Sequence, residues 1–305
     1  MVTGAPSCES NELRDNLFIC PGCLSTEHSD ELPYAGNAPG FVLKKIVKCG
    51  RCELFSMHPM PEDVELSDYY KTYWSNCDES VEVPMFAAQA GARYSYMEPM
   101  LPRVDRLRIL DFGAGLGLTK QAFRFPTEYD AVEVDPKAVE YLQTNIRPRH
   151  VFSSGEEIHG QYHVVVLSHI LEHLKSPLKL LKDLKNMLCE DGILFIEVPN
   201  KDFVYKARNE PHLIFFVPGT LVRLVEGVGY EVLKVDTCGQ EISALRAAQN
   251  PALKLMKDFL KRVLPEALIR RIRKARVRNS VEAFRSHVSE YGGDRRWIRL
   301  IAVRR

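Results

Sequence analysis

An apolar run from Leu107 to Leu110 leads into Asp111-Phe-Gly-Ala-Gly-Leu-Gly-Leu118, and 22 residues after Asp111 stands Glu133, in Val132-Glu-Val-Asp-Pro136. Few folds accommodate that arrangement. The run predicts a buried parallel strand, and glycines at 113, 115 and 117 let the following turn bring backbone N–H groups against a ligand. Glu133, ending the next strand, can accept hydrogen bonds from both hydroxyls of a ribose. A glycine turn with no ligand is the bland alternative, and the paired acid at 133 argues against it.

A dinucleotide fingerprint is the nearest rival, but it requires G-x-G-x-x-G. The spacing here is G-x-G-x-G, Leu118 stands where the third dinucleotide glycine falls, and Asp111 precedes the first glycine by two residues. A carboxylate there repels a pyrophosphate and suits a ligand carrying an amino group and a sulfonium. The pattern resembles motif I of the class I S-adenosylmethionine-dependent methyltransferases. The resemblance implies S-adenosylmethionine as cofactor, held by Asp111, Gly113, Ala114, Gly115, Gly117, Glu133 and Val134.

The register of that family continues downstream. A short strand near His150–Phe152 precedes Ser153-Ser-Gly-Glu-Glu157, where the family places a polar or acidic side chain near the adenine; Glu156 is the candidate. Tyr162 to Ser168 is an apolar strand ending beside the cofactor at Ser168. Leu178 to Leu188 has helical spacing, and Asp191-Gly192 turns into a strand from Ile193 to Asn200 with a proline stop. The alternation of strands and helices predicts an α/β, doubly wound, seven-stranded Rossmann-like sheet with its ligands at the carboxyl ends of the strands. Between them lies His169-Ile-Leu-Glu-His173. It matches the H-x-x-E-H of some zinc peptidases, but it starts at a strand end rather than on a helix face. It also resembles the stretch that follows the fourth strand in many class I methyltransferases, which makes His169, His173 and, with less support, Glu172 candidate bases rather than ligands. His212, in Asn209-Glu-Pro-His212, resembles the family's histidine after the fifth strand and is the third candidate base.

Cys20-Pro-Gly-Cys23 and Cys49-Gly-Arg-Cys52 form two C-x2-C knuckles, 25 residues apart. Four thiolates close a tetrahedral zinc site with no open position, which makes it structural. Cys8, Cys77, Cys189 and Cys238 are scattered, and nothing suggests an export signal, so disulfides explain the pattern poorly. Phe41 to Cys49 reads as a strand feeding the second knuckle. With Met57-His-Pro-Met-Pro61 and Ser67-Asp-Tyr-Tyr-Lys-Thr-Tyr-Trp74, the segment resembles the zinc-binding leader of a methyltransferase family acting on sugars and natural products. Glu53 departs from that family's glycine after the last cysteine. Tyr73 is a candidate to close over the cofactor.

The chain has 305 residues, 45% hydrophobic and 27% charged, enough for one α/β core and a small appendage. The expected organisation is a zinc-binding, ribbon-like module over 1–65, a helical linker or lid over 66–100, and a methyltransferase domain over 101–305. A helical insertion at about 241–292 precedes a last strand, Trp297–Val303, paired antiparallel near Tyr230–Asp236. Lys261 to Arg278 carries eight basic residues against one Glu, a local +7 in a chain of net charge +1, so that −6 is left elsewhere. Such a stretch can attract phosphate, including at a membrane surface, and is more often a solvated helix face. There is no apolar run of 18 residues, and a cytoplasmic location is expected.

The C-methyltransferases of this family carry a further domain that no segment after residue 238 can hold. The resemblance therefore favours O-methylation of a sugar, glycan or other small polar acceptor, though a similar sheet can serve N-methylation too. An RNA base methyltransferase gripping nucleic acid through the zinc module and basic helix is the alternative. Near-neutral charge, no N-P-P-Y type motif and no cysteine placed to attack a pyrimidine argue against it. A non-catalytic binding protein is a third reading, opposed by the intact Asp111, glycine turn and Glu133.

Overall fold

A computed structural model describes residues 17–71, 73–74, 79–153, 155, 158–249, 282 and 284–305. Strands β1 (His28–Pro33), β2 (Lys45–Cys49), β3 (Phe55–His58), β4 (Leu107–Phe112), β5 (Thr127–Val132), β6 (His150–Phe152), β7 (Tyr162–Ser168), β8 (Leu188–Pro199), β9 (Ile214–Phe215), β10 (Tyr230–Glu241) and β11 (Arg295–Arg304) form two sheets. The larger has the order β10-β11-β8-β7-β4-β5-β6. β4 to β8 pair in parallel, and β11 runs antiparallel between β8 and β10. Strand order reverses at β4 and β7, the crevice where doubly wound sheets take their ligands. The structure is the Rossmann-like methyltransferase fold.

Alternation along the central strands sends their side chains to opposite faces. Leu110, Val165, Leu167, Leu194 and Ile196 pack on one face with helices Pro177–Met187 and Pro218–Gly227. Ile109, Val164, Val166, Ile193 and Phe195 pack on the other with Tyr94, Tyr96 and Met97 of helix Glu79–Met97. Leu118, Phe123, Leu142 and Ile146 share that core with it.

The knuckles belong to the second sheet, β1-β2-β3-β9. β9 comes from the chain after β8, and Phe55 and Ser56 pair with Phe215 and Ile214. Phe41, Cys20, Cys49 and Leu54 share one core with Leu213, Phe215 and Leu221. The N-terminal module is thus completed by the segment that carries His212.

Three local expectations are revised. The strand into the second knuckle starts at Lys45, not Phe41, since Leu43 takes a left-handed φ of 55°. Asp191-Gly192 is no separate turn: β8 begins at Leu188, paired with Tyr162, and a register shift absorbs the extra residues. The last strand spans Arg295–Arg304 and pairs with β10 over Tyr230 to Glu241, beyond the expected Asp236. Helix Ile242–Ala248 and a helical turn at 284–287 border the expected insertion. The basic stretch 261–278 and Glu156 lie outside the described residues.

Candidate active site

The carboxyl edge of the large sheet opens into a cavity of about 750 Å³. At one end lies the glycine turn. Gly113, Gly115 and Gly117 have φ of 71°, 53° and 65°, a region that costs other residues about 1–2 kcal/mol. A Cβ on Gly113 would fall 1.9 Å from Ile170 Cδ1, and one on Gly115 would fall 2.8 Å from the Trp74 ring. Glu133, one residue beyond β5, receives the Gly115 N–H on Oε2 (2.8 Å) and the Val134 and Asp135 N–H groups on Oε1 (2.7 and 3.0 Å). Its carboxylate is therefore fixed at the lip of the turn. Asp111 is buried beneath, accepting from the Tyr129 hydroxyl at 2.6 Å. Burial raises its pKa against the pull of Tyr129 and Thr119.

Ala114 and Ser168 also line the cavity, Ser168 beside the end of β4. Val134 is 60% exposed at its edge. Tyr73 lies at the rim, 47% exposed, within a ring cluster formed with Tyr69, Tyr70 and Trp74. The Trp74 N–H donates to Asp135 Oδ2 at 3.0 Å, which pins this aromatic stretch to the start of the helix after β5.

The opposite end of the cavity is histidine-rich. His169 follows β7 with φ 57°, its N–H donating to the Glu197 carbonyl at 2.8 Å. Both its ring nitrogens are engaged: Nδ1 lies 3.1 Å from Glu172 Oε1, and Nε2 lies 3.2 Å from Glu197 Oε1. Burial alone would lower its pKa, but these two carboxylates outweigh it and raise it. Burial would raise Glu172, yet the neighbouring imidazoles hold it below the usual carboxylate range.

His173 ends a tight 3-10 turn, Leu171–His173, so His169 and His173 do not share a helix face as zinc peptidases require. Its Nδ1 contacts the Tyr70 hydroxyl at 2.9 Å, and burial pushes its pKa down to about 3. His212 arrives from the loop after β8. Its ring meets His173 edge to face at 4.8 Å, and its Nδ1 is 2.6 Å from Asp202 Oδ2. The three candidate bases thus converge: both ring nitrogens of His169 meet carboxylates, His173 Nε2 lies 3.8 Å from Glu172 Oε1, and His212 Nε2 lies 3.1 Å from Lys206 Nζ.

Residues 86–235 match a family described as a methyltransferase domain. The chain is a methyltransferase. Comparison with curated proteins returns no match. Among solved structures, it is similar to an S-adenosylmethionine-dependent methyltransferase of Thermotoga maritima, a possible histamine N-methyltransferase. The identity is 13% and the TM-score 0.51, over 79% of this chain and 100% of that one. It is also similar to an S-adenosylmethionine-dependent methyltransferase of Mesorhizobium loti (13% identity, TM-score 0.45, 70% of this chain and 98% of that one). A third is phosphoethanolamine N-methyltransferase 2 of Haemonchus contortus in complex with S-adenosyl-L-methionine (13% identity, TM-score 0.46, 82% and 62%).

Sequence reasoning did not find the charges beneath this cavity. Glu197 of β8 and Arg299 of β11 face each other in register, both fully buried. Glu197 Oε2 accepts from Arg299 Nε at 2.6 Å, and Oε1 from Gln89 Nε2 (2.7 Å) and Arg93 Nη2 (2.7 Å). A charged residue inside each of two apolar strands was the available signal. Asp202, Lys206 and Tyr70 were also missed; their neighbourhood to the histidines exists only after folding.

Cys20 Sγ lies 3.4 Å from Cys52 Sγ, and Cys23 Sγ lies 3.6 Å from Cys49 Sγ. Tetrahedral zinc with bonds of about 2.3 Å sets its sulfurs about 3.8 Å apart, so the donor set fits. The Gly22 N–H points at Cys20 Sγ and the Cys52 N–H at Cys49 Sγ, each favouring a thiolate. Burial pushes the Cys49 thiol up, but the backbone N–H groups of Cys52 and Arg51 and its thiol neighbours bring it down to about 7. Leu24 and Glu53, each following the second cysteine of its knuckle, have φ of 62° and 61°. That backbone is where glycine is favoured, and Arg223 Nη2 anchors Glu53 at 2.7 Å.

Proposed function

We propose that this methyltransferase moves the methyl group of S-adenosylmethionine to a hydroxyl oxygen of a sugar, glycan or other small polar acceptor. The observation that carries the reading is one cavity with a fixed carboxylate and glycine turn at one end and Glu172, His173 and His212 at the other. Glu133 would hold the ribose, Gly113 to Gly117 the methionine portion, Asp111 the electrostatics of the turn, and Tyr73 the rim over the cofactor. The sulfonium supplies an activated methyl group. The protein must hold the nucleophile in line, exclude water and handle one proton. A hydroxyl has to shed its proton for the attack to proceed, and the imidazole cluster suits that need. Tyr70 and Trp297 also line the cavity, aromatic side chains of the kind that pack on a pyranose face. The RNA reading leaned on residues 261–278, outside the described residues, and no feature of the site favours it. Among the described residues no helix is long and apolar enough to cross a membrane.

The deciding assay supplies labelled S-adenosylmethionine and the enzyme to an extract of cells lacking the gene, then separates RNA, glycan, lipid and small-molecule pools. Label in glycan or small molecules is expected; label in RNA would overturn the reading. Glu133→Ala is expected to weaken S-adenosylmethionine binding about 10- to 100-fold, the scale of charge-assisted hydrogen bonds, measured by calorimetry; unchanged affinity removes Glu133 from the ribose.

We also propose that Cys20, Cys23, Cys49 and Cys52 hold one structural zinc. Elemental analysis is expected to give one zinc per chain, lost in Cys49→Ser. That loss should expose residues 17–61 to protease and lower turnover, because β3 braces β9 beside His212. A zinc-free wild type of full stability would sink the assignment.

A further inference from the structure

Glu172, His173 and His212 place one ligand atom each within 4.8 Å of the others. Glu172 is fully buried, His212 is 6% exposed, and the His173 side chain is 12% exposed. Each imidazole is fixed from outside through Nδ1, His173 by the Tyr70 hydroxyl and His212 by Asp202. That is how histidine ligands are oriented at metal centres, by an oxygen partner on the distal nitrogen. Nε2 of both rings is left for an ion once Lys206 Nζ, 3.1 Å from His212 Nε2, is displaced. Glu172 Oε1 lies 3.8 Å from His173 Nε2, while its buried Oε2 has no hydrogen-bond partner. The two segments are locked together, since the Leu213 N–H donates to the Glu172 carbonyl at 2.7 Å. The spacing of the three donors is therefore built into the backbone.

We propose that Glu172, His173 and His212 bind a divalent first-row transition ion at the acceptor end of the cavity. Two imidazoles and a carboxylate suit such ions and leave coordination positions open. This rests on the O-methylation reading and deepens it: an open position takes the acceptor hydroxyl oxygen. With both imidazoles ligating, the ion takes over the handling of the proton: it would acidify the bound hydroxyl, whose proton leaves to a cavity water, while the oxygen forms a bond to the sulfonium methyl and the carbon–sulfur bond breaks with its electron pair remaining on sulfur. The acceptor class is thus a hydroxyl compound able to ligate a metal. The sequence motif H-x-x-E-H does not supply this donor set. His169 is turned to Glu172 and Glu197, and His212, from a different loop, completes the trio.

Lys206 is the cationic side chain in contact with His212 among the described residues. Its Nζ lies 3.1 Å from His212 Nε2 and 3.2 Å from Asp202 Oδ2, on a side chain 33% exposed. It competes with an ion for His212 and must swing toward solvent for the ion to enter.

The test is a titration of the full chain with Mn2+, following the electron paramagnetic resonance of the free ion, with S-adenosylmethionine binding measured in parallel. Mn2+ prefers oxygen and nitrogen donors, which keeps the four-cysteine centre out of the readout. One Mn2+ per chain is expected, at least about tenfold weaker in His212→Ala and in Glu172→Gln. It should be unchanged in His159→Ala, at an exposed histidine, and tighter in Lys206→Met. A wild type that takes no Mn2+, or His212→Ala that takes it fully, overturns the cation site. If S-adenosylmethionine still binds in that case, the cation site alone falls; if neither binds, the methyl-transfer reading falls with it.

Discussion

Glu197→Ala is expected to destabilise the fold by about 3–5 kcal/mol, the cost of breaking a buried ion pair from one side. Urea unfolding of the variant against wild type measures it. The size follows from what remains: Arg299 is fully buried and Arg93 nearly so, both aimed at the missing carboxylate. Gln89 loses its acceptor as well. Burial alone would raise the Glu197 pKa, but the Arg93 and Arg299 guanidiniums hold it well below its ordinary 4.5. A carboxylate depressed on folding gives its full stabilisation above the unfolded value and loses it as pH falls through the folded one. Wild-type stability should therefore decline below about pH 4.5, and Glu197→Gln should flatten that acid limb. A variant within 1 kcal/mol of wild type, on the order of a surface change, would show that the charges compensate one another elsewhere. Because His169 also touches Glu197, turnover should fall along with stability.

His212→Ala is expected to lower turnover by about 10²- to 10⁴-fold, the range for removing a positioned proton-handling group, with S-adenosylmethionine affinity nearly unchanged. His212 lies 4.8 Å from His173, ring to ring, and is held by Asp202 at the end of the cavity away from Glu133. Single-turnover kinetics with calorimetry separates the two quantities. A variant that loses cofactor affinity instead would reassign His212 to the cofactor side. His169→Ala should behave differently. With both ring nitrogens bonded to carboxylates, it positions Glu172 and Glu197, and its loss should lower stability as well as rate.

The glycine-turn end of the cavity was legible as local geometry. Glycines two apart with left-handed backbone, an acid at a strand end and a second acid after the next strand are all fixed by short segments. Gly113, Gly115, Gly117, Asp111 and Glu133 therefore stand in the structure at one end of one cavity. The four cysteines were equally local, two pairs each spaced by a turn. The histidine end was only partly legible. His173 and His212 were named as alternatives to one another, whereas the fold puts them in contact.

Local patterning along the chain by itself determined the central strands, the glycine turn after β4 and the knuckles, since each follows from periodicity or spacing within a few residues, while the antiparallel pairing of β10 with β11 was expected only from the family resemblance. Only the tertiary structure decided that β9 completes the sheet of the cysteine module, that Glu197 meets Arg93 and Arg299, and that Glu172, His173 and His212 face one point. These arrangements join residues far apart in the chain, Phe55 pairing with Phe215 and Ser56 with Ile214. Side-chain directions across such distances are set by how the layers pack on the sheet, which no short window of sequence contains.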